Sequence, residues 1–179
     1  MSVRWALFLS GRGSTAQALM DQIGDLDLRL VVSSRKNAYG VLRARRMGVP
    51  WTFFGKDSGW EQLHQDLKAR GIQAIFLVGF MRLLPATFVA KWKGRIFNVH
   101  PSLLPDYPGA QAMERSFFAK APMGVSLHEV TAEMDAGPLK LRASIERHED
   151  CSITQLRMAR LEQRLLREWA GRLQPRGLG

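Results

Sequence analysis

Apolar residues in the first hundred positions fall in short runs, separated by amphipathic stretches of about ten to fifteen residues. Arg4–Ser10 (RWALFLS), Leu28–Ser33 (LRLVVS), Pro50–Phe54, Ala74–Val78 (AIFLV) and Arg95–Val99 each read as a strand. The intervening stretches Ser14–Ile23, Asn37–Met47 and Gly59–Arg70 carry helical periodicity, and a short helix is predicted from Pro85 to Lys91. In the first of these, Leu19, Met20 and Ile23 recur at helical spacing; in the second, Asn37 offers an N-cap and Gly48 a stop; Gly71 closes the third. Strands alternating with helices predict right-handed crossovers and a mostly parallel, Rossmann-like α/β sheet with helices on both faces. In such a sheet ligands sit outside the carboxyl ends of the strands, which directs attention to the turns after Ser10, Val78 and Val99.

The pattern changes after Gly124. Val125–Val130 and Leu139–Ile145 read as strands with no helix between them, so the C-terminal part is expected to be antiparallel. An amphipathic helix over Ser152–Leu173 follows. Residues 1–173 read as one domain, and residues 174–179, with Pro175, Gly177 and Gly179, as a mobile tail.

Composition narrows the class. With 46% hydrophobic and 23% charged residues the chain has the make-up of a soluble globular domain, and no run is long and apolar enough for a spanning helix. The short apolar run near the N-terminus lacks the features of a signal peptide, so the expected location is cytoplasmic. One cysteine, Cys151, allows neither an internal disulfide nor a cysteine metal site, and no His, Cys, Asp and Glu cluster at ligand spacing; no metal is expected. The formal net charge is +10, concentrated in residues 29–46, which hold six basic residues and no acid, and in residues 151–179, which hold six arginines against Glu162 and Glu168. Such a field suits phosphorylated metabolites, polyanionic folates or nucleic acid, or it is a solvated basic surface.

Four segments can carry chemistry. Ser10-Gly11-Arg12-Gly13-Ser14 joins a strand to a helix, where glycines and unpaired N–H groups suit a phosphate; a tight turn explains it equally. It lacks both the third glycine of a dinucleotide fingerprint and the Gly-Lys-Ser/Thr ending of a nucleotide P-loop. In Asn98-Val99-His100-Pro101-Ser102-Leu103-Leu104-Pro105, Asn98 and His100 are two apart at a strand end and project to the same side. An amide beside an imidazole can hold an oxyanion and manage a proton. Asp135-Ala136-Gly137-Pro138 is a β-turn, or a loop that sets a carboxylate against the histidine. Gly79-Phe80-Met81-Arg82-Leu83-Leu84 suits a flat heterocycle, or is a loop packed on the core. His128 is either a second polar group in the same place or a strand histidine bonded to a backbone carbonyl. His64 and His148 read as surface residues.

Taken together, LSGRGS, LVGFMRLLP, NVHPSLLPDYPGA (Asn98 to Ala110) and VSLHEVTAEMDAGP resemble the folate-dependent formyltransferase family, in its branch acting on glycinamide ribonucleotide. The likeness runs in order from about Trp5 to Trp169. It implies formyl transfer from 10-formyltetrahydrofolate to the substrate amine, with Asn98 and His100 holding the formyl group and Asp135 supporting His100. It also implies a phosphate and ribonucleotide site at Gly11, Arg12, Gly13, Ser14, Thr15, Tyr107, Pro108, Gly109 and Glu162. The pteridine would lie against Met81, Arg82, Leu84, Ala132, Glu133, Met134 and Gly137. Small-molecule substrates, no nucleic acid, no membrane and a monomer or homodimer follow from the same likeness. Thr15, Met113 and Gln163 depart from the family's usual asparagine, histidine and histidine, which would suit an altered acceptor amine. The rival expectations are transfer to methionyl-tRNA or an amino sugar, and a non-enzymatic RNA- or nucleotide-binding domain.

Overall fold

The computed structural model describes residues 2–11 and 26–173. Seven strands form one sheet in the order β3-β2-β1-β4-β5-β6-β7: β1 (Arg4–Leu9), β2 (Asp27–Ser33), β3 (Trp51–Phe53), β4 (Ala74–Leu77), β5 (Ile96–His100), β6 (Met123–Glu129) and β7 (Leu139–Ile145). β1 to β5 pair in parallel, whereas β6 and β7 add on as antiparallel strands. Five described helices accompany them: α1 (Tyr39–Arg46), α2 (Trp60–Ala69), α3 (Ala86–Lys91), α4 (Ala112–Phe118) and α5 (Cys151–Arg172). The expected architecture, a parallel sheet with an antiparallel C-terminal part, is the one observed. The expected helix over residues 14–23 and the tail over 174–179 lie outside the described residues. Among the described residues, no helix is long and apolar enough to cross a membrane.

Side-chain alternation along the buried strands sorts the core into layers. Trp5, Leu7 and Leu9 of β1 face one side with Phe76 and Phe97, where they meet Val41 and Ala44 of α1 and Leu166 of α5. Ala6 and Phe8 face the other side and meet Leu63 and Leu67 of α2, with Phe88 and Trp92 around α3. A third cluster on the first side joins Met113 and Phe117 of α4 to Met158, Leu161 and Leu165 of α5, over Met123 and Val125 of β6. The Trp5 and Phe76 rings stack with centroids 4.0 Å apart, fixing β1 against β4. Each such fully buried aromatic contributes roughly 1.5–3 kcal/mol through lost apolar exposure.

Three local readings need correction. The N-cap of α1 is Ala38 with no side-chain hydrogen bond, not Asn37, because the chain is still extended at residue 38. α4 was not expected. It is only seven residues long and opens from Gln111 in the left-handed conformation, immediately after a Pro-Gly turn that reads as loop. His64 and His148 are half-buried rather than surface residues: His64 packs edge-on against Trp92, and His148 Nδ1 accepts the Asp150 N–H at the start of α5.

Candidate active site

β5 ends at His100, so Asn98 and His100 lie on one side of the strand where the chain leaves the sheet. Pro101 stops further pairing. The segment beyond is tied down by two buried serines. Ser126 Oγ donates to the Ser102 carbonyl and accepts the Leu104 N–H, while Ser102 Oγ donates to the Asp106 carbonyl. The Leu104–Pro105 peptide is cis, and Tyr107 and Gln111 adopt positive φ. This loop returns the Tyr107 carbonyl to His100, whose Nε2–H donates to it at 2.9 Å.

Antiparallel pairing sets His128 of β6 opposite Asn98, and Ser126 opposite His100. His128 Nδ1–H donates to the Glu129 carbonyl at 2.9 Å, and Nε2 lies 3.2 Å from Asn98 Nδ2: it accepts from that amide when the ring is neutral and donates towards Asp135 when the ring is doubly protonated. Both readings offered for His128 therefore hold at once. Its sequence signal was Ser126 and His128, two polar residues of the same parity in an otherwise apolar buried strand.

Asp135 reaches the pair from the β6–β7 loop. Its Oδ2 stands 3.4 Å from His100 Nδ1 and its Oδ1 3.5 Å from His128 Nε2. The turn reading of this segment is also correct, because Asp135 sits in a turn at φ 52°. Hydrogen bonding to His128 is the main influence holding the Asp135 carboxyl below the usual aspartate range. The Gly109 N–H and the neighbouring His100 act in the same direction, and burial opposes them. Asn98, His128, Asp135 and His100 thus form one chain of contacts drawn from three separate segments. Both ring nitrogens of His100 face oxygens, so a doubly protonated ring donates to both and a singly protonated ring to one only.

A cleft of about 590 Å³ opens beside His100. Gly11, Gly79, Met81 and Val99 line it from the strand ends, Gly109 to Glu114 from the loop and α4, and Gln155, Met158, Ala159 and Glu162 from α5. Gly11, Gly109, Glu162 and Met81, four of the residues expected to meet a ligand, line this cleft. Arg12, Gly13, Ser14 and Thr15 lie outside the described residues. Asn98 and Asp135 are half-buried beside the buried His100 and are not among the residues that line this cleft.

The other residues expected to meet a ligand make the following contacts within the protein or lie exposed. Arg82 Nη1 donates to the Phe54 and Gly55 carbonyls, and its guanidinium covers the Phe54 and Trp60 rings. Leu84 packs on the second core layer. The Tyr107 and Pro108 carbonyls accept hydrogen bonds, from His100 and Arg115 respectively. Ala132, Glu133 and Met134 are exposed, and Gly137 lies against the backbone of Glu129. The Met81 turn is held through its backbone: Ser10 Oγ accepts the Met81 N–H and bonds Ser34 Oγ.

This geometry coincides with a family assignment, since the formyl transferase profile matches residues 3–168. The chain belongs to the formyl transferase family. Relatives include the phosphoribosylglycinamide formyltransferase of Escherichia coli (strain K12), 34% identical over 153 residues that span 78% of this chain and 71% of that protein. The Haemophilus influenzae protein of the same name is 30% identical, over 88% of this chain and 80% of that protein. The trifunctional purine biosynthetic protein adenosine-3 of Drosophila melanogaster is 36% identical over 79% of this chain, which matches only 12% of that longer protein. Among solved structures, glycinamide ribonucleotide transformylase 1 from Symbiobacterium toebii superposes with a TM-score of 0.89 at 31% identity, covering 98% of this chain and 89% of that one. The Geobacillus kaustophilus transformylase 1 gives 0.85 at 34% identity, with 92% and 95% covered. This formyl transferase chain therefore shares its fold with those enzymes along nearly its whole described length.

Proposed function

We propose that the protein transfers the formyl group of 10-formyltetrahydrofolate to the amine of glycinamide ribonucleotide, a step of purine biosynthesis, by direct attack. The folate is a co-substrate consumed in each turnover. The observation that carries the reading is the Asn98–His128–Asp135–His100 chain of contacts, whose His100 lines the cleft.

The neutral amine attacks the formyl carbon, a C–N bond forms and the carbonyl oxygen becomes an oxyanion. Asn98 keeps one Nδ2–H for that oxygen while the other is held by His128. His100 Nε2–H exchanges the Tyr107 carbonyl for the oxyanion, and Asp135 stays ionised beside the ring. When the intermediate collapses, the bond to the folate nitrogen breaks and the proton shed by the amine passes to that nitrogen. Each oxyanion donor contributes about 3 kcal/mol, and orientation of the two substrates supplies much of the remainder. Gly11, Gly109 and Glu162 face the ribonucleotide, and Met81 faces the pteridine. Arg82, already bonded to two carbonyls, holds the turn that presents Met81.

The test is a folate-absorbance assay with glycinamide ribonucleotide and the formyl donor, run on the wild type, His100→Ala and Asp135→Asn. The expected result is wild-type turnover that falls on the order of 10²-fold or more in either variant. Near wild-type rates in both variants would remove the mechanism. Transfer to another amine with none to glycinamide ribonucleotide would replace the acceptor; Met113, buried and lining the cleft, is the position to examine for that difference.

A further inference from the structure

The two basic runs, far apart in sequence, are brought to one face of the sheet. α1 and α5 both pack on the first core layer, through Val41 and Ala44 of the one and Leu166 with Trp169 and Ala170 of the other. Together these helices carry eight arginines, no lysine, and only Glu162 and Glu168 as acids. α2 and α3, on the opposite face, carry two lysines against two acids, and one lysine of these, Lys91, is paired with Glu61. The charge excess is therefore directional.

Its arrangement is regular. Arg157, Arg160, Arg164 and Arg167 are all exposed and recur at intervals of three and four, forming a single stripe along α5. Glu168 is taken by Arg172, and among the described residues no ion pair engages the four stripe arginines. The stripe spans roughly 15 Å of helix axis, long enough to meet several consecutive phosphates of one nucleic-acid strand. On the same face, around α1 and β3, cations cover aromatic rings: Arg43 over Tyr39, Arg45 over Trp51 and Lys36 over Phe53. Tyr39 and Phe53 stay exposed beside their cations.

We infer that this face binds single-stranded nucleic acid, with the α5 arginine stripe on the phosphate backbone and the cation-flanked rings of α1 and β3 against bases. The guanidinium fork matches phosphate oxygens in pairs, and aromatic faces accept any base, so the binding is independent of sequence. An anionic membrane would call for a continuous apolar stripe. On α5, however, Ile153 and Leu156 expose apolar surface only near the helix start. None of the stripe arginines lines the cleft, so this surface is separate from formyl transfer.

The test is fluorescence anisotropy of the whole protein with a short labelled single-stranded RNA, between about 50 and 200 mM salt. Log affinity is expected to fall linearly with log salt, by about 0.7 per phosphate engaged. The triple variant Arg160→Gln, Arg164→Gln, Arg167→Gln is expected to weaken binding on the order of tenfold or more and flatten that slope by about two, with formyl transfer unchanged. Arg→Lys at the same three positions is expected to keep the slope. Tyr39→Ala with Phe53→Ala is expected to weaken binding without altering it. Absence of binding at the lowest salt would overturn the inference. So would a slope that the triple variant leaves unchanged, or displacement of the RNA by polyglutamate at equal charge concentration, which would reassign the face to acidic polypeptides.

Discussion

Asp135 Oδ2 accepts the Gly109 N–H at 2.8 Å, and the same oxygen faces His100 Nδ1 at 3.4 Å. One carboxylate therefore anchors the loop over the cleft and flanks the imidazole. Two substitutions separate these roles. Asp135→Asn keeps an acceptor for Gly109 but removes the charge, so kcat is expected to fall on the order of 10²-fold or more with stability within about 1 kcal/mol of wild type. Asp135→Ala removes both and is expected to lose a further 1–3 kcal/mol or so in urea unfolding, the cost of an unpaired donor. Equal stabilities in the two variants would show that Gly109 does not depend on the carboxylate.

The lowered Asp135 carboxyl fixes a pH dependence. Its folded-state value lies below its unfolded value of about 3.9. The carboxylate thus stabilises the fold above that unfolded value, and the contribution disappears as pH falls through the lower folded value. The stability difference between wild type and Asp135→Asn is expected to shrink below about pH 4, as the carboxylate takes up its proton. A carboxyl ¹³C titration checks this directly. Any loss of rate between pH 7 and about 5 is then assigned to other groups.

His128 touches no cleft surface but holds Asn98 Nδ2 and faces Asp135. In the proposed mechanism it is a positioning residue. His128→Ala is expected to lower kcat roughly tenfold to a hundredfold, through small misplacement of the amide donor, with the KM for both substrates little changed. His128→Asn can still accept from Asn98 and is expected to recover part of that loss. A rise in KM with kcat preserved would instead place His128 in binding.

A methyl group added to Gly137 would stand 1.8 Å from the Glu129 carbonyl oxygen and 3.2 Å from Thr131 Cγ2. The first contact is backbone and no rotamer relieves it. Gly137→Ala is expected to destabilise by more than about 2 kcal/mol, or to push the loop outward with Asp135 two residues upstream. Only the displaced loop lowers kcat of the folded enzyme. Urea midpoints and single-turnover rates on the variant distinguish them.

The parallel core was legible because buried strands such as Ala74–Leu77 are continuous apolar runs and the helices between them keep one apolar face. Asn98 and His100 were legible because strand parity alone sets them on one side. What sequence could not give was contact through backbone. The Tyr107 carbonyl that occupies His100 depends on a loop shaped by Ser102 and Ser126, and no residue type at position 107 announces it. Nor did the sequence announce that Arg82, expected to meet the folate, donates to the Phe54 and Gly55 carbonyls, which come from a distant loop. α4 escaped because a seven-residue helix without a side-chain cap leaves little periodicity to detect.

β3 is one of the two outer strands of the sheet, only three residues long and preceded by Pro50, which has no N–H to offer. Arg45 lies over Trp51 and Lys36 over Phe53 along it. A second chain approaching this margin meets too few free backbone groups to start a ladder and two like charges that repel its own copy. The margin therefore protects against edge-to-edge aggregation, and neutralising Lys36 and Arg45 together would lower the protein concentration at which fibrous or amorphous deposits form.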